Sequence, residues 1–123
     1  MSKDRVILER RYVPKGTVVI KEGEEAYAAF LIQSGSVRVF QERNGKKVEL
    51  AILGMGEICG EMALINDKPR GASVETAEDC NLVVITRSAF EDKLKNTDTT
   101  IQAIVKMLIK RVESANKHRV DNA

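Results

Sequence analysis

The chain has 123 residues, 43% hydrophobic and 31% charged, with a formal net charge of +2. That length and balance describe one ordinary soluble globular domain able to build a core without metal or disulfide staples. The small net charge gives no argument for nucleic acid or a membrane surface, and no apolar run is long enough to cross a bilayer.

The start, Met1-Ser2-Lys3-Asp4-Arg5, has no signal-peptide stretch behind it. The pattern is then that of β-structure punctuated by glycine. Residues 17–21 are a β-branched run closed by Glu22-Gly23, and residues 29–32 form a second apolar run ended by Ser34-Gly35. Residues 36–41 alternate polar and apolar with a period of two, as a half-buried strand does. Asn44-Gly45 is a hairpin signal leading into residues 48–53. Further runs lie around residues 72–76 and 81–86, and short strands at this spacing predict a sandwich or barrel. Cys59 and Cys80 sit among apolar neighbours, the setting of reduced, buried thiols, which points to the cytoplasm.

Past residue 87 the period changes. Ser88-Ala89-Phe90-Glu91 fits a capping box and predicts a short helix to about Lys95. A longer helix is expected from near Asp98 to about Lys117, with Ile101, Ile104, Val105, Leu108, Ile109 and Val112 forming one apolar stripe. Ile101, Val105, Leu108, Val112 and Ala115 also follow the four-three spacing of a heptad seam. The stripe therefore suits either packing on the strands or a homodimer through this helix. Lys106, Lys110, Arg111, Lys117 and Arg119 read as a solvated face with cations near the helix C-terminus. No repeat, low-complexity tract or linker marks a second domain.

Residues 60–74, Gly60-Glu61-Met62-Ala63-Leu64-Ile65-Asn66-Asp67-Lys68-Pro69-Arg70-Gly71-Ala72-Ser73-Val74, do not read as strand. They carry what an anionic ligand needs. A short helix behind Gly60 can offer amides at its start. Arg70 supplies a planar charged fork, and Gly71 and Ala72 let backbone approach closely. Glu61 can accept from sugar hydroxyls. From these residues in isolation, a solvated glutamate and arginine or an internal ion pair is the favoured reading, since surface charge pairs are common and weak.

The order of the segment resembles the phosphate-binding cassette of the cyclic-nucleotide-binding domain family: Gly-Glu-(Leu/Met)-(Ala/Ser)-Leu, a short spacer, then Pro-Arg-(Ala/Thr)-Ala-(Ser/Thr)-Val. Gly16, Gly23-Glu24, Ala26, Phe30-Leu31-Ile32, Ser34-Gly35-Ser36-Val37 and Gly54-Met55-Gly56 fall where the family places its turns and strands, so the likeness runs from about Tyr12 to Phe90. It implies a mainly β fold with flanking helices. An eight-stranded β-roll (a double-stranded β-helix, jelly-roll-like) spans about residues 9–87, then a short and a long C-terminal helix span about 88–118, all within one domain over 1–123.

The resemblance also implies roles. Glu61, with the backbone of Gly60, holds the ribose 2′-hydroxyl; Arg70 pairs with the exocyclic phosphate oxygens; the amides of Met62, Gly71 and Ala72 complete the cradle. Threonine after the arginine goes with cyclic GMP in the family; here that residue is Gly71, which favours cyclic AMP and leaves cyclic GMP as the alternative. The residue before the cassette glycine is often phenylalanine and here is Cys59. The C-terminal helix is expected to act as lid and output element toward an effector whose identity the sequence does not give.

Other classes fit less well. The cupin metalloenzymes share the β-helix shape but need clustered histidine and carboxylate ligands, and the single histidine, His118, lies outside the strand region. No serine or cysteine nucleophile has an evident histidine base. A regulatory, non-enzymatic receptor with no cofactor and no metal is therefore expected. A DNA-reading helix-turn-helix has no place in this stretch of chain, and no membrane insertion is expected. A member of the fold that has lost its ligand does not fit the retention of both Glu61 and Arg70.

Overall fold

The computed structural model describes residues 8–121, with side chains through residue 115. Eight strands are present among the described residues: β1 (Glu9–Val13), β2 (Val18–Ile20), β3 (Ala28–Ser34), β4 (Val37–Arg43), β5 (Lys46–Leu53), β6 (Ile58–Cys59), β7 (Ser73–Thr76) and β8 (Cys80–Thr86). A 3-10 helix, Glu61–Leu64, lies between β6 and β7, and α1 (Arg87–Lys95) and α2 (Thr99–Asp121) follow β8.

The strands pair antiparallel in the order first with last: β1 with β8, β2 with β7, β3 with β6, and β4 with β5. One long hairpin has in effect been wound into a roll. Two four-stranded sheets result, ordered β1-β8-β3-β6 and β2-β7-β4-β5. This is the expected double-stranded β-helix. The β4–β5 turn has positive φ at both Asn44 (55°) and Gly45 (77°), the geometry that matches the twist of the flanking strands.

Alternation along the strands sends Phe30, Ile32, Val37, Leu82 and Val84 into one core shared with Cys59 and Cys80. Apolar burial of this kind drives the fold, at about 25 cal/mol per Å² removed from water. Thr76 is a buried polar residue whose hydroxyl is fully used. It donates to the Pro14 carbonyl at 2.7 Å and accepts from Thr17 N at 2.9 Å, so it closes the turn between β1 and β2.

Two compact units divide the chain, Ile7–Phe90 and the segment from Glu91 onward, and α1 passes from one into the other. The helix cap differs from expectation. Thr86 Oγ1, not Ser88, accepts from Ala89 N at 3.1 Å, so α1 begins at Arg87 and Glu91 lies beyond the reach of a capping box. The threonine ending β8 satisfies a first-turn amide before a serine two residues later can. In the second unit Asp98 Oδ1 caps α2 through Thr100 N at 2.8 Å. Gln102 Nε2 donates back to the carbonyls of Lys95 (3.2 Å) and Thr97 (3.0 Å).

Along α2, Ile101, Ile104, Leu108 and Val112 are exposed, Val105 and Ile109 half-buried, and Lys106, Lys110 and Arg111 exposed. The side chains of Lys117, His118 and Arg119 lie outside the described residues. Among the described residues no helix is long and apolar enough to cross a membrane.

Candidate ligand-binding site

Residues 60–72 form a loop between β6 and β7 that begins with a tight turn. Gly60 has φ 73° and ψ 23°, a left-handed conformation that glycine adopts without penalty. A Cβ added there would stand 2.7 Å from Arg70 Nη1 and 2.7 Å from Ile20 Cδ1. Glycine is thus required twice, by backbone conformation and by the packing of Arg70 over it.

The expected helix after Gly60 is present as the four-residue 3-10 helix. Ala63 N closes its first turn on Gly60 O at 3.2 Å, and Ile65 N and Asn66 N close the next on Met62 O, each at 3.1 Å. Its brevity limits the dipole it can present. Glu61 is exposed and Met62 half-buried in the first turn, while Ala63 is buried beneath.

Arg70 is half-buried, and its guanidinium meets neutral carbonyls rather than a carboxylate. Nη1 donates to Gly60 O at 3.1 Å and Nη2 to Ala28 O at 2.5 Å. Among the described residues no acidic group forms an ion pair with it, Glu61 included. The internal Glu61–Arg70 pair that the sequence alone left open is therefore not formed. No buried side-chain nitrogen or oxygen lacks a partner among the described residues, so the unpaired Arg70 Nε opens to solvent. Burial lowers the guanidinium pKa from its ordinary value, yet arginine remains a cation at neutral pH. The result is a fixed positive charge with spare donors.

The Arg70 backbone is held as firmly as its side chain. Its N–H donates to Glu24 O and its carbonyl accepts from Gly23 N, each at 2.8 Å. The Gly23-Glu24 turn of the second glycine signal thus places the arginine. Downstream, Gln41 Nε2 donates to Gly71 O at 2.7 Å, and Ser73 Oγ accepts from Glu22 N at 2.9 Å. Gly71 is exposed, with open space where a Cβ would stand, and Ala72 is half-buried.

Cys59 is buried beside this site, and its thiol is pushed up to about 11. Burial is the main cause, the Glu61 charge adds to it, and Arg70 opposes it. Both cysteines are free thiols.

Arg87, Gln41 and Ser73 have no role in the sequence reading. With the cap expected at Ser88, Arg87 falls before the helix; only the observed start at Arg87 sets its charge against the dipole. Among the described residues no group of three or more histidine, cysteine, aspartate or glutamate side chains is placed to hold a metal ion.

The two-sheet roll thus carries a loop in which a left-handed glycine packs beneath an arginine that forms no ion pair among the described residues, an arrangement suited to an anion. The chain belongs to the cyclic nucleotide-binding domain family, whose profile matches residues 10–97. It is similar to the cyclic AMP receptor protein of Thermus thermophilus, 30% identical over 109 residues, which cover 88% of this chain and 50% of that protein. The cAMP-dependent protein kinase regulatory subunit of Pyricularia oryzae is 37% identical over 90 residues, covering 73% of this chain and 23% of that one. The chain thus spans half or less of these curated relatives. Among solved structures, a half-site-occupied form of the EAL enzyme Bd1971 superposes with a TM-score of 0.84 at 31% identity, covering 89% of this chain and 99% of that chain.

Proposed function

We propose that this domain is a cyclic AMP receptor, without enzymatic activity of its own, that signals through movement of its C-terminal helices. Arg70 pairs with the exocyclic phosphate oxygens. Glu61 and the backbone of Gly60 hold the ribose 2′-hydroxyl, and the amides of Met62, Gly71 and Ala72 complete the phosphate cradle. The observation that supports this most is the Arg70 guanidinium, half-buried on two neutral carbonyls with no carboxylate paired to it among the described residues. A phosphate supplies the missing charge through bidentate, charge-assisted bonds.

Cyclic AMP is favoured over cyclic GMP because Gly71 offers no hydroxyl after the arginine, and the two curated relatives described above are both named for cyclic AMP. The two free, buried cysteines suit the cytoplasm. The apolar side chains along α2 suit a homodimer or an effector domain as the element that receives the signal.

Calorimetry and thermal melting with each nucleotide test the reading. Saturation at about a hundred times Kd stabilises the fold by roughly 2.7 kcal/mol. Arg70→Ala weakens binding by about 2–5 kcal/mol, since a buried phosphate charge is left unpaired. Absence of a melting shift with both nucleotides, or full affinity in Arg70→Ala, refutes it. Light scattering with and without ligand reports whether α2 pairs two copies.

A further inference from the structure

Arg87 is the first residue of α1, and no acidic residue accompanies it in that turn. A cation at this end of a helix faces the positive pole of the dipole. Its side chain, 30% exposed, turns instead to the cassette. Nε donates to Ala63 O at 3.1 Å, Nη2 donates to Asn66 O, and Nη1 donates to Asp67 Oδ1 at 2.5 Å.

Ala63 lies in the 3-10 helix whose leading carbonyl, Gly60 O, accepts from Arg70. One short helix is therefore held at both ends by guanidinium groups. Arg70 grips its N-terminal cap, and Arg87 grips the carbonyls that leave its C-terminal end, where positive charge is favoured. These bonds are the arginine links between the cassette and the start of α1. Asp67 adds a charge but is 91% exposed, so its pairing with Arg87 is weak beside the two carbonyl bonds.

We propose that Arg87 is a positioning residue that couples the state of the cassette to the placement of α1. The inference rests on the cyclic nucleotide reading above. A phosphate that draws Arg70 toward itself weakens its hold on Gly60 O and lets the 3-10 helix shift. The Ala63 and Asn66 carbonyls shift with it, and Arg87 carries the first turn of α1 along. The ligand biases the helix only to the extent that these bonds differ between the two states.

The test uses the full chain with cyclic AMP as the probe. Calorimetry gives Kd, and amide hydrogen exchange of residues 87–95, with and without saturating cyclic AMP, gives the response. In the parent, cyclic AMP binds and changes exchange across these residues. Arg87→Ala still binds, with Kd within about tenfold, but loses more than half of that change. Arg87→Lys restores part of it, because an ammonium can reach one carbonyl. A merely structural role lowers the melting temperature of Arg87→Ala and leaves the ligand-induced change intact, which overturns the coupling. If Arg87→Ala does not fold, Arg87→Lys and Asp67→Asn decide: a reduced response supports the coupling and an unchanged one in both overturns it. A parent that binds but shows no change in 87–95 overturns the coupling alone. A parent that binds neither cyclic nucleotide overturns the receptor reading and the coupling with it.

Discussion

Gly60 and Arg70 occupy each other's space: a Cβ on the glycine would lie 2.7 Å from the arginine Nη1, while the glycine carbonyl accepts from that same nitrogen at 3.1 Å. The two are a single unit, and the smallest change to one displaces the other. Gly60→Ala forces a left-handed alanine, costing roughly 1–2 kcal/mol, and moves the guanidinium. The melting temperature should fall by several degrees and cyclic AMP affinity should fall with it. Melting curves and calorimetry on the variant measure both.

Gly71 behaves in the opposite way. Its φ is outside the left-handed region, and nothing lies within 4 Å of a built Cβ. Gly71→Thr should leave stability within about 0.5 kcal/mol. If the hydroxyl reaches the bound nucleotide, one added hydrogen bond of about 0.5–1.5 kcal/mol moves the ratio of the two affinities several-fold toward cyclic GMP. Paired titrations of parent and variant with both nucleotides read that ratio.

Thr76 is 1% exposed, and its hydroxyl serves Pro14 O and Thr17 N. Thr76→Val keeps the shape and removes both bonds, leaving the half-buried Thr17 N–H without this acceptor while Pro14 O keeps its bond from Thr17 Oγ1. The expected loss is about 1–3 kcal/mol. Urea denaturation should show a lower midpoint with an unchanged slope.

Cys59 gives a pH dependence of definite sign. Its folded pKa of about 11 lies above that of an exposed thiol, mainly through burial. The unfolded chain therefore releases this proton first as pH rises. The stability tied to the protonated thiol is fully present below about pH 8.5, the ordinary cysteine value, and is lost as pH climbs toward 11. Cys59→Ala should show a shallower loss of stability across that window than the parent. At neutral pH the parent thiol should resist iodoacetamide until the protein is unfolded.

Much of the roll was legible because its strands are β-branched and alternate. The two strands missed have physical reasons. In β1, Glu9-Arg10-Arg11-Tyr12 is too polar to show a buried face, although Val13 is buried. β6 is two residues long, below any periodicity. The cap of α1 was misplaced by two residues because serine and threonine hydroxyls are chemically interchangeable there, and only the end of β8 decides between them.

At the site, residue order alone brought Glu61 and Arg70 to notice. What holds Arg70 could not be read, since Gly60 O and Ala28 O are backbone carbonyls that every residue possesses. The grip of Arg87 on Ala63 and Asn66 was hidden for the same reason. Side-chain patterns report which residues are charged, and say nothing of which carbonyls a fold turns toward them.

The reciprocal backbone bonds between Arg70 and the Gly23-Glu24 turn carry a consequence for anyone wishing to move this site elsewhere. A linear graft of residues 60–72 onto another scaffold leaves the arginine main chain untethered. The transplantable unit is the loop together with its distant glycine turn and the sheet register that brings them side by side. A peptide copy of the loop should therefore recognise nothing, however faithful its sequence.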